Sequence, residues 1–188
     1  VIGQELATVG FRPMAHSDLP RLLGWLREPH VAKWWREEPA DLAAVVATYG
    51  PCIDGSDPTE LFVVEVAGDP IGMAQRYLLA DEPDWATALA VADGVDVGGA
   101  AGIDYLIGEP SAVGRGRGAA LVAGFTSLVF DWRPVPSIVV AVQQANRPSW
   151  RVLEASGYVR RWAGTLASND PSDAGPAYIY AIERKLAS

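Results

Sequence analysis

The chain has 188 residues, 49% hydrophobic and 20% charged, and its 15 basic and 23 acidic side chains give a net charge of −8. That length suits a single domain, 1–188, with a substantial core, and the composition is that of a folded protein. So acidic a chain lacks the basic face that phosphate backbones require, which argues against nucleic acid as a partner. The acidity serves either to draw cationic small molecules or to keep the protein in solution. Cys52 is the only cysteine, and His16 and His30 are the only histidines. An internal disulfide and a Cys- or His-rich metal site are therefore excluded, and no metal is expected. No apolar run reaches membrane-spanning length and no signal-peptide pattern opens the sequence, so the expectation is a cytoplasmic protein without membrane contact.

In chain order, "LATVGFRPM" (6–14) reads as a strand. "SDLPRLLGWLRE" (17–28) reads as a helix with Ser17 as N-cap and Leu19, Leu22, Leu23 and Leu26 on one face. Pro29 ends it, "HVAKWWREE" begins a short second helix, and "ADLAAVVATYG" is a third, closed by Gly50 and Pro51. Two strands, 60–68 and 69–80, flank a turn at Gly68-Asp69-Pro70. Residues 81–101 show no period and read as a long acidic loop. A strand over 101–110, a helix from about Arg117 to Phe130 and a buried strand over 137–142 follow. A helix over 146–158 is capped by Asn146 and stopped by Gly157. Two last strands, 158–167 and 177–186, are joined by the acidic "SNDPSDAGP". The order predicts an α/β domain with a mixed sheet.

The segment "AVGRGRGAAL" (112–121) lies between a predicted strand and a predicted helix. Gly114, Gly116 and Gly118 let the backbone turn its N–H groups inward, and the helix start adds its own free amides and positive dipole end. Such a loop holds a phosphate or pyrophosphate, with Arg115 and Arg117 at the rim; otherwise it is a flexible turn with surface arginines. It lacks the Gly-Lys-Ser/Thr ending of a Walker loop and the G-x-G-x-x-G spacing of a dinucleotide fingerprint.

"GIDYLIGEPSAVGRGRGAALV" (102–122) followed by "NRPSWRVLEASGY" (146–158) resembles the GNAT superfamily of N-acetyltransferases. That resemblance implies a central, mixed, mostly antiparallel sheet of about seven strands flanked by four to five helices. It also implies acetyl-CoA as co-substrate: Val113, Gly114, Arg115, Gly116, Arg117, Gly118 and Ala119 at its pyrophosphate, backbone groups of Leu106 and Ile107 toward its thioester, and Asn146 and Ser149 beside its pantetheine arm. Two positions depart from the pattern. Ser111 stands where the loop usually has Gln or Arg, and Leu153 where the late helix often has Tyr. "RLLGWLREPHVAKWW", "PIGMAQRY" and "DAGPAYIY" further resemble the aminoglycoside 6′-N-acetyltransferases. Against that narrower pattern, Ala141 stands where an aspartate is usual.

Acetyl transfer to an amine requires loss of the ammonium proton, a donor for the thioester oxygen and stabilisation of the leaving thiolate. Asp104 sits mid-strand, where an unpartnered carboxylate is costly. It is the candidate for positioning the amine and accepting its proton; an edge-strand carboxylate facing solvent or paired with an arginine is the alternative. With Leu153 in the tyrosine's place, Ser149, water or no acid at all serves the thiolate. Asn146 either contacts pantetheine or simply caps its helix. Trp34 and Trp35 point about 100° apart on a helix, so one belongs to the core and the other walls the acceptor site. Gln75 and Tyr77 share a strand face and are candidate acceptor contacts. Asp173, and less so Asp170, offers charge from the last hairpin loop. Asp81, Glu82, Asp84, Asp93 and Asp96 form a second acidic supply, and Trp85 a cover. His30 is assigned to packing or capping.

The expected function is acetyl-CoA-dependent N-acetylation of a cationic small-molecule amine, with an aminoglycoside 6′-amine as the candidate acceptor, by a monomer or homodimer. A siderophore-type lysine or hydroxylysine acyltransferase and a non-catalytic CoA-binding module are the alternatives. An Asp104 facing the acyl position distinguishes the enzymes from the module.

Overall fold

The computed structural model describes residues 8–185. The alternating and apolar runs become seven strands of one sheet: β1 (Val9–Pro13), β2 (Glu60–Val66), β3 (Asp69–Leu78), β4 (Ala101–Ile107), β5 (Ser137–Gln143), β6 (Val159–Thr165) and β7 (Pro176–Glu183). Their order is β1-β2-β3-β4-β5-β7-β6. Residues 6 and 7 of the expected first strand, and Leu186 of the last, lie outside the described residues.

Every neighbouring pair is antiparallel except β4 and β5, which run parallel and pair only through Ala101–Ile138 and Gly102–Val139. Beyond Gly102 the two strands part. Residues 103–107 of β4 then have a strand partner on the β3 side alone. A parallel neighbour needs a crossover, and the helix that follows the glycine loop supplies it.

Among the described residues six α-helices flank the sheet, more than the four to five that the resemblance implied: α1 (Leu19–Leu26), α2 (Pro29–Ala32), α3 (Leu42–Asp54), α4 (Pro83–Leu89), α5 (Arg117–Trp132) and α6 (Arg147–Ala155). Four expectations are corrected. Ser17 lies inside a 3₁₀ turn, and Asp18 takes the cap position of α1, its carboxylate bound to the Ala15 N–H and to Arg12. The second helix is one turn long, so Trp34 and Trp35 follow it rather than lie on it. The third runs through Pro51 to Asp54 and stops at Gly55, which is left-handed with φ 74°. The acidic stretch after β3 contains α4, seven residues opened by Pro83 at a first-turn position.

Leu121, Val122, Phe125 and Val129 of α5 and Leu153 of α6 bury one sheet face against Ile103, Ile138 and Val140. Leu22 and Leu26 of α1 and Tyr49 of α3 bury the other against Val63, Met73 and Leu106. Each such side chain contributes roughly 1.5–3 kcal/mol of burial, so β4 is held from both faces while its edge stays parted from β5. No helix among the described residues is long and apolar enough to cross a membrane.

Candidate active site

Two cavities open on either side of the parted edge. The larger, about 760 Å³, lies over the face of β3 and β4 that carries Gln75, Tyr77 and Asp104. Asp104 stands opposite Gln75 in the ladder, and the Gln75 Nε2–H donates to Asp104 Oδ2 at 2.9 Å. Tyr77 stands opposite Gly102; a Cβ there would sit 2.3 Å from the Tyr77 ring, so the ring's place requires that glycine. Trp85 of α4 donates its indole N–H to the Tyr77 hydroxyl at 3.2 Å. Burial pushes the Asp104 carboxyl up to about 6, the Gln75 amide and Tyr77 hydroxyl draw it back, and Asp173 and Asp170 add to the rise.

The walls carry six carboxylates, Glu37, Glu82, Asp84, Asp104, Asp170 and Asp173, and no lysine or arginine. Of the second acidic supply, Glu82 and Asp84 reach the cavity. Burial raises the Glu82 carboxyl, with Asp57 and Asp81 adding to it, and burial raises the Asp173 carboxyl. Glu37 was not singled out in the sequence. It accepts from the Trp35 indole N–H at 2.7 Å and from the Tyr49 hydroxyl at 2.8 Å, which ties the segment after α2 to α3. Its only sequence signal is the run "WWREE". No group of three or more His, Cys, Asp or Glu among the described residues is arranged to hold a metal.

The second cavity, about 430 Å³ and largely apolar, lies between the end of β4 and α6 and reaches the glycine loop. Gly114 and Gly116 are left-handed, φ 73° and 72°, with open space where a side chain would stand. Gly116 is the cap of the 16-residue α5. The loop therefore leaves its N–H groups and the helix start free for an anion, and glycine holds this shape without the strain an L side chain incurs. Gly118 packs against Val152 of α6. Val113, Arg117, Ala119, Asn146 and Ser149 line the same cavity, as do Leu106 and Ile107; Arg115 does not. The Asn146 side chain accepts the Ser149 N–H at 3.4 Å, so it caps α6 while facing the cavity.

The expected pair of backbone donors at Leu106 and Ile107 is reduced to one. The Ile107 carbonyl accepts from His30 Nε2 at 2.9 Å across the open edge, and the Gly108 N–H turns to β3. N–H and C=O of one residue point the same way in an antiparallel ladder. Ile107 therefore presents its N–H to the cavity, and the Leu106 backbone belongs to the β3 side. Trp35 packs on the α1–α3 cluster and lines both cavities, whereas Trp34 lines only the apolar one. Ser149 Oγ shares a 2.9 Å hydrogen bond with the Tyr105 hydroxyl, a cavity residue the sequence did not single out. Burial raises the Tyr105 hydroxyl, so it stays protonated. Leu153 is fully buried in the core. Ser111 turns its hydroxyl to Glu109 at 3.3 Å.

Over residues 14–166 the chain matches the family model of the acetyltransferase (GNAT) domain. The aminoglycoside N(6′)-acetyltransferases type 1 of Klebsiella pneumoniae and Serratia marcescens are each 31% identical to it over 182 residues, 96% of this chain and 85% of theirs. The crystal structure of aminoglycoside acetyltransferase AAC(6′)-Ib in complex with coenzyme A is similar with a TM-score of 0.75 at 30% identity, covering 94% of this chain and 95% of that one. The complex of AAC(6′)-Ib with coenzyme A and kanamycin gives the same values. With the matched segment running from the end of β1 to the end of β6, this chain belongs to the GNAT acetyltransferase family.

Proposed function

We propose that the protein transfers the acetyl group of acetyl-CoA to a primary amine of an aminoglycoside, at the 6′ position. The observation that carries this reading is the acceptor cavity, with six carboxylates, no cationic side chain, and the buried Asp104 among them. Such a cavity suits a molecule with several ammonium groups better than the single amine of a lysine derivative. Relatives whose names state this activity add support.

The residues of the apolar cavity fit acetyl-CoA: an open glycine turn, the start of a long helix, Arg117 beside them and an apolar channel beyond. Bound there, acetyl-CoA supplies the activated acyl group and a thiolate leaving group. Gly114, Gly116, Gly118 and Ala119 bind the pyrophosphate through backbone N–H groups, and Arg115 and Arg117 add charge outside. The Ile107 N–H donates to the acyl oxygen as charge builds on it. Asn146 and Ser149 flank the pantetheine arm, and the Tyr105–Ser149 hydroxyl pair offers a donor toward sulfur.

On the acceptor side, Asp104 fixes the ammonium and takes its proton directly or through water. Held near 6, its carboxyl is ionised at neutral pH, yet far closer to the amine in basicity than an exposed aspartate. Trp35, Gln75 and Tyr77 wall the sugar, and Asp173 and Asp170 pair with further ammonium groups. Trp34 serves the acetyl-CoA channel. All the residues named here come from one chain, which suits a monomer or a homodimer, and a cytoplasmic setting suits an enzyme that draws on acetyl-CoA.

Thiol release from acetyl-CoA tests the reading against kanamycin, tobramycin, spermidine, lysine derivatives and a lysine-bearing peptide, with Asp104→Asn as control. Turnover on the aminoglycosides that the substitution abolishes is the expected outcome. Turnover confined to lysine derivatives moves the assignment to the siderophore-type acyltransferases.

A further inference from the structure

The segment after α2 and the loop between β6 and β7 meet beside the acceptor cavity. Arg36 joins them. Its backbone N–H donates to Ser172 Oγ at 3.1 Å, its Nη1 to the Pro171 carbonyl at 3.2 Å and its Nη2 to Gln143 Oε1 at 3.2 Å. Gln143, the last residue of β5, donates its own amide to the Ser172 carbonyl. Ser172 is thus gripped from two elements that are far from it in sequence.

Pro171 and Ser172 stand between the two loop carboxylates. Asp170 accepts the Ser172 N–H at 2.7 Å, and Asp173 accepts the Ser168 hydroxyl at 2.6 Å. The loop is therefore folded upon itself, and what fixes it against the cavity is the grip on Pro171 and Ser172. Arg36 directs its guanidinium to neutral oxygens, and among the described residues it pairs with no carboxylate. It holds the loop without neutralising the acidic wall. A lysine has one point charge and no planar fork, and does not reproduce these contacts.

We infer that Arg36 is a positioning residue: with Gln143 it clasps the 167–175 loop across the acceptor cavity, so that Asp170 and Asp173 face a polycationic acceptor. This rests on the reading of that cavity as the amine site. The clasp sets acceptor affinity and leaves acetyl-CoA binding alone, because its bonds run to the β6–β7 loop, to Gln143 of β5 and to the Lys33 carbonyl, and none reaches the glycine loop.

The test uses the whole chain with Arg36→Ala and Gln143→Leu, and Arg161→Ala on β6 as control. Hydrogen–deuterium exchange of amides 167–175 and steady-state KM for kanamycin and for acetyl-CoA are measured on each. The clasp predicts faster exchange confined to 167–175 and a kanamycin KM raised about tenfold, the scale of one charge-assisted hydrogen bond. It predicts an unchanged acetyl-CoA KM, and no change of any kind in Arg161→Ala. Unchanged exchange in Arg36→Ala overturns the inference, as does a parallel rise in both KM values. If the unsubstituted chain acetylates no aminoglycoside, the acceptor reading fails by itself, and the exchange comparison still decides the clasp.

Discussion

Replacing Asp104 by Asn keeps the side chain's shape and an oxygen for the Gln75 amide to donate to, and removes one charge. Folding lifts this carboxyl from 3.8 to about 6, mainly through burial. At neutral pH the ionised form is therefore held against its preference by an amount on the order of 3 kcal/mol. The sign follows from the direction of that shift. Below the unfolded value the group is neutral in both states and costs nothing; the cost grows as pH climbs toward about 6 and is constant above. Asp104→Asn is thus expected to match the parent's stability near pH 4 and to exceed it at pH 7. At about 2–4 °C of melting temperature per kcal/mol for a chain this long, the gain is several degrees. Activity moves oppositely. Unit charges about 4 Å apart at an effective dielectric constant of ~20 attract by about 4 kcal/mol, which corresponds to roughly three orders of magnitude in kcat/KM. Thermal melts at pH 4 and 7, with thiol-release kinetics on kanamycin, read both effects. A variant that melts lower at pH 7, or keeps kcat/KM within tenfold of the parent, refutes the reasoning.

The glycine turn and the acceptor wall are separable by substitution. Gly116→Val forces a branched residue to a left-handed backbone at φ 72°, a strain of roughly 1–2 kcal/mol; acetyl-CoA KM is expected to rise about tenfold with kanamycin KM unchanged in initial-velocity measurements. Gly102→Ala drives a methyl into the Tyr77 ring; overpacking of about 1–3 kcal/mol is expected to lower the melting temperature and raise kanamycin KM, leaving acetyl-CoA KM alone. For the parent, kcat/KM against pH is expected to show an acid limb with a midpoint near 6, where Asp104 gains its proton. That limb is expected to be missing from the residual activity of Asp104→Asn.

Most of the fold was legible because strand alternation and helical spacing are local. The glycine turn was legible too, since its left-handed conformation is written in consecutive residues. Pro51 misled because a proline lacks the N–H that continues a helix. Here it falls in the last turn, after Val45 and Tyr49 have docked in the core, and Gly55 supplies the stop four residues on. α4 left no period because seven residues barely complete two turns. Trp34 and Trp35 were expected on a helix; once α2 ends at Ala32, the 100° rule no longer sorts them, and Trp35 serves both core and cavity. Glu37, Glu82 and Asp84 could not be chosen from other acidic residues, because what selects them is the shape of a cavity built from β3, α4 and the β6–β7 loop. The Arg36–Gln143 contact spans 107 residues of sequence and has no local signature.

Position of acetylation tests the central claim most directly. Kanamycin would be incubated with acetyl-CoA and the purified protein, and the product examined by mass spectrometry and two-dimensional NMR. The account predicts a singly acetylated product with the acetyl group on the 6′ nitrogen. Acetylation at another amine, or no acetylated kanamycin while acetyl-CoA binds, would contradict it.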